Sequence, residues 1–125
     1  QTSCLETRHH DASPRAAALK ALGVHSINAR LPEVTRKLGA AGIVGVYIRY
    51  SAAPDDPCVK KIRYLSGDGD LLKPNLDLQF ISLLGRFFHD LIENRHPRWS
   101  QVASASGHFV WDLSLDMVHH VHRSR

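Results

Sequence analysis

Residues 80–92, FISLLGRFFHDLI, place Phe80, Ile81, Leu84, Phe87, Phe88, Leu91 and Ile92 at the i, i+3, i+4, i+7 spacing of a helix buried along one face. Pro97 lacks an amide donor and pushes the residue before it out of the helical region, so the helix should stop around 94–96. Upstream, Asn75 is suited to cap it. A helix this apolar on one side needs a surface to cover, and the flanking segments supply it. Residues 43–50, IVGVYIRY, alternate so that Val44, Val46, Ile48 and Tyr50 share a side, which predicts a strand. The turn chemistry of SAAPDDP (51–57) then reverses the chain into CVKKIRYL (58–65), a partner strand whose interleaved basic residues keep one face wet. SGDGD (66–70) breaks that strand.

Beyond Pro97 and a polar loop, residues 107–113 and 117–122 read as a terminal hairpin. With a two-residue turn at Ser114 and Leu115, Phe109 faces His120 and Trp111 faces Val118. This register sets His120 and His122 on the apolar side and Asp112 on the other. Toward the start, Ser13 and Pro14 open an alanine-rich helix that ends at Gly23, and Asn28 opens a second, with Pro32 in its first turn and Leu31, Val34 and Leu38 on one face before Gly39 and Gly42. The expected fold is therefore α+β: an antiparallel four-stranded sheet with helices packed on one face, in the order ααββαββ. QTSCLETRHHD (1–11) has no apolar period, so residues 1–12 are expected to form a flexible leader and residues 13–125 a single domain.

Composition agrees with that picture. At 125 residues, 43% hydrophobic and 22% charged, the chain can bury a core without disulfides or metal and is far from disordered composition. No run of about eighteen apolar residues is present to span a bilayer, and the expectation is a cytoplasmic chain with no membrane partner. Cys4 and Cys58 have neither metal-site nor redox spacing and read as free thiols. A net charge of +4 favours acidic partners, but the basic residues are dispersed, with small groups only at 36–37, 60–63 and 123–125.

Several short phrases bear a resemblance. Ala40, Ala41, Gly42 and Ile43, then Tyr50, Asp55 and Val59, then His96, Pro97, Trp99, Ala105 and Gly107, and lastly Asp112, His122 and Arg125 stand at matching spacing. In these the chain, from Asn28 onward, resembles an uncharacterised bacterial family of small domains of unknown function, with phrases of the type Y-x-G-x-G-D-S-G-x-I and H-P-G-W-E-N-N-D-G. The resemblance implies a divergent member and singles out Asp55, His96, Trp99, Asp112, His122 and Arg125 as binding residues. Ala52, Pro54, Asp56 and Pro57 replace the glycines and serine around the family's aspartate, and Ser100 to Ser104 replace its E-N-N-D-G. The family implies no activity.

Nine histidines are many for this length, and four fall in the last eighteen residues. His120 and His122 share a strand face and form a reasonable imidazole pair for zinc or another divalent ion, although a third ligand is missing. Packing of these rings against Trp111 is the competing reading, and the favoured expectation is no cofactor. Asp55, Asp56, Asp68 and Asp70 lie in turns without calcium-loop spacing. No G-x-S-x-G elbow or phosphate-binding loop exists. Trp99 behind Pro97 reads as an anchor for the loop. Arg49, Lys61 and Arg63, with Tyr47, can form a basic sheet face that stacks nucleic-acid bases. The favoured function is a non-enzymatic binding or accessory domain using the sheet face or terminal hairpin on a protein partner or on itself. Nucleic-acid binding by the basic face and a metal-dependent hydrolase at the histidines are the alternatives.

Overall fold

A computed structural model describes residues 5–22, 31–52, 58–69, 71–72, 76–101 and 105–124. Its elements are β1 (Leu5–Asp11), α1 (Pro14–Leu22), α2 (Leu31–Ala40), β2 (Gly45–Ser51), β3 (Cys58–Leu65), β4 (Leu71–Leu72), α3 (Leu78–Arg95), a 3₁₀ turn (Trp99–Gln101), β5 (Ser106–Asp112) and β6 (Met117–Ser124). The class is α+β, but the four-stranded ααββαββ arrangement is overturned. Five strands of seven or eight residues and the two-residue β4 form one antiparallel sheet in the order β1-β6-β5-β2-β3-β4.

The extra full strand is β1, formed by residues expected to be leader. Its inward positions are His9 and Asp11, opposite His120 and Val118 of β6, so it lacks the apolar alternation by which strands are recognised. Further along, Phe109 pairs with His120 and Trp111 with Val118, the register read from the sequence, although the connection is the four-residue turn 113–116. In β2, Val46, Ile48 and Tyr50 are buried, whereas Val44 precedes the strand and is exposed. An irregularity between Arg49 and Tyr50 shifts the β2–β3 register by one residue.

Helix α3 buries Phe80, Leu84, Phe87, Phe88, Leu91 and Ile92. Cutting Leu91 or Ile92 to alanine would cost about 2–5 kcal/mol. Its N-cap is Asp77, which accepts from the Phe80 amide at 2.7 Å; Asn75 lies outside the described residues. The helix ends at His96, whose amide donates to the Ile92 carbonyl, one residue before Pro97. Ser13 caps α1 by accepting from the Ala16 amide at 3.0 Å, as its place before Pro14 suggests. Gly23 and Asn28 lie outside the described residues. Helix α1 packs on α3, β1 and β6, α3 packs on β3, and Lys37 of α2 sits over the Phe80 ring. Among the described residues no helix is long and apolar enough to cross a membrane.

Candidate functional site

The two faces of the sheet carry different chemistry. On the helix-covered face a polar cluster interrupts the core, and three strands contribute to it through their two-residue period. Strand β6 brings His120 and His122, β1 brings His9 and Asp11, β2 brings Tyr50, and the end of α3 brings Arg95 and His96. Arg95 and Asp11 form an ion pair with both side chains 5% exposed. Arg95 Nη1 also lies 3.1 Å from His120 Nδ1.

The hydrogen-bond inventory gives this cluster a direction. A guanidinium only donates, so His120 Nδ1 accepts and the neutral ring carries its proton on Nε2. That N–H donates to the Tyr50 hydroxyl at 2.7 Å. The hydroxyl, having accepted once, donates its own proton to His122 Nδ1, also at 2.7 Å. Room for the hydroxyl comes from Gly107, the cross-strand neighbour of Tyr50 and His122, where any Cβ would collide with the Tyr50 hydroxyl and the Val121 carbonyl. Burial, and then Arg95, drive the pKa of His120 down to about 2, and burial lowers those of His122 and His9. His96, stacked on His122 at 3.8 Å, is lowered to about 4 by burial and then by His122. Burial also raises the Tyr50 phenol above its usual range. The rings are therefore neutral at neutral pH.

His96 supplies the third nitrogen that spacing alone lacked: it, His120 and His122 present ring nitrogens within 4.8 Å of one another. Among the described residues, these are the candidate metal ligands that the fold collects. Yet the lone pairs of His120 and His122 are engaged, one by Arg95 and one by Tyr50, and an incoming cation would also meet the guanidinium. The arrangement acts as a clamp that ties β1, β2, β6 and α3 together. Trp99, 1% exposed, packs edge-on against Tyr50 at 5.2 Å and anchors the loop after Pro97. His96, Trp99 and His122, singled out from the sequence, thus converge; Asp112 does not. It sits on the opposite face, where its carboxylate accepts from the Ser114 amide and hydroxyl and the Leu115 amide and holds the β5–β6 turn. Asp55 and Arg125 lie outside the described residues.

No helix of the described residues packs on the other face. Arg49 stands directly opposite Lys61, and Tyr47 opposite Arg63, across β2 and β3. All three cations are exposed and none has a carboxylate partner among the described residues. The Tyr47 ring stacks on His108 of β5 with centroids 5.6 Å apart and planes at 26°. A shallow cavity of about 320 Å³ opens beside this stack, between Tyr47, Arg49, Ser51, His108, Val121 and Arg123. Along the β1–β6 border Glu6 pairs with both Arg8 and Arg123, so that part of the face is partly neutralised. His108 is held below its ordinary pKa by burial and then by Arg123.

Sequence reasoning found Arg49, Lys61, Arg63 and Tyr47 on one face but missed His108 as the stacking partner of Tyr47. It also missed His9, Asp11, Tyr50 and Arg95 in the clamp; the period-two spacing of His9 and Asp11 was the available signal. Comparison with family models, curated proteins and solved structures finds no match.

Proposed function

We propose that this chain is a non-enzymatic binding domain that receives an anionic macromolecule on the open face of its sheet. The observation that carries the reading is the pairing of Arg49 with Lys61, flanked by Arg63, with no carboxylate among the described residues to balance them. Like charges directly opposite one another on a sheet destabilise it by roughly 0.2–1 kcal/mol. Three such groups held together gain from an anionic ligand what they lose in its absence. The histidine cluster lends itself less to catalysis, because Tyr50, His120, His122 and Arg95 turn their donors and acceptors toward one another on the covered face.

Retention on a sulfated polysaccharide such as heparin tests this. Binding at low salt should weaken as salt rises, and the double reversal Arg49→Glu with Lys61→Glu should abolish it while leaving the thermal melt cooperative. Undiminished retention of the folded double variant would refute the reading.

A further inference from the structure

The stacked Tyr47–His108 pair lies inside the cationic patch, not beside it. Same-face neighbours along a strand are about 6.8 Å apart and adjacent strands about 4.8 Å, so Tyr47, Arg49, Lys61 and Arg63 form a compact two-by-two grid. His108 extends the row of Arg49 and Lys61 on the next strand. An acidic peptide would find the charges there, but it offers no flat ring for the stack. A duplex would present phosphates, but its bases are already stacked inside and cannot meet Tyr47. A single strand offers both, with unstacked bases for the rings and phosphates for the three cations. The cavity beside the stack has the apolar Val121 in its lining and the Ser51 and Ser106 hydroxyls at its border, a lining suited to a base with polar edges.

We infer that the open face is a single-stranded nucleic-acid site, in which a base stacks against the Tyr47–His108 pair while Arg49, Lys61 and Arg63 hold the flanking phosphates. This rests on the anionic-partner reading and narrows it. The stack gives affinity that tolerates changes of sequence, since every base has a π-face, and the cations make it salt-dependent.

Fluorescence anisotropy with a labelled oligothymidylate dodecamer tests the inference, with a duplex of equal length and poly-L-glutamate as competitors. The single strand should bind at low salt, and three phosphate contacts should give a slope of log affinity against log salt of about −2. Tyr47→Ala and His108→Ala should each weaken binding roughly tenfold, whereas Arg36→Glu, on α2, should leave it unchanged. Circular dichroism establishes that each variant is folded. If duplex and polyglutamate compete as well as the single strand and Tyr47→Ala is neutral, the nucleic-acid inference fails and the anionic face stands. Failure of all three polyanions to bind at low salt overturns both.

Discussion

The Tyr50 hydroxyl lies 2.7 Å from His122 Nδ1, and this contact closes a chain of hydrogen bonds that begins at the Asp11–Arg95 ion pair and passes through His120. Four elements distant in sequence are tied by it, and each member has a defined role as donor or acceptor.

Replacing Tyr50 with phenylalanine keeps the ring contacts to Trp99 and Phe109 but leaves His120 Nε2–H and His122 Nδ1 unpaired in a dry interior. Each orphaned group costs about 1–3 kcal/mol, so urea unfolding should show a loss of about 2–5 kcal/mol. A loss within experimental error would mean that the two imidazoles find other partners.

Removing one member of the buried ion pair leaves the other uncompensated. Arg95→Met or Asp11→Leu alone should cost about 3–5 kcal/mol, while the double substitution should cost less than the sum of the two. Additive losses in that double-mutant cycle would contradict direct coupling.

The histidines make stability depend on pH in a definite sense. His9, His96, His120 and His122 all titrate below their ordinary value in the folded protein, with burial the first cause in each case. Between those depressed values and about 6.5 the unfolded chain binds more protons, so stability is full above about pH 6.5 and declines as the pH falls below it. Glu6 and Asp112, lowered chiefly by hydrogen bonds from Arg123 and Ser114, act in the same direction but only in the carboxylate range, below that window. The urea midpoint should therefore drop between about pH 6.5 and about pH 5. A flat profile there would show the rings to be solvated.

Gly107→Ala introduces a methyl group where the Tyr50 hydroxyl and the Val121 carbonyl already stand. Backbone cannot yield as a flexible side chain can, so a loss of about 3 kcal/mol or more is expected from overpacking and from the displaced hydroxyl. Thermal melting measures it. A melting temperature equal to that of the parent chain would place Tyr50 elsewhere.

Because the lone pairs of His120 and His122 are already engaged, a chelator should leave the melting temperature of purified, untagged protein unchanged. A downward shift reversed by zinc would instead make His96, His120 and His122 a metal site.

Much of the fold could be read locally. The apolar stripe of α3, the alternation of β2 and β3, and the β5–β6 register follow from side-chain period and turn residues, which act over a few positions. The same alternation placed Arg49, Lys61 and Arg63 together on one face. What the sequence alone could not decide is β1 and the clamp. Polar His9 and Asp11 can face the core only because Arg95, 84 residues away from Asp11 along the chain, and His120 meet them there. Burying a polar or charged group is costly unless its partner arrives with it, so a segment whose inward residues are a histidine and an aspartate has no stable conformation of its own. Its strand exists through contacts that only the folded chain assembles.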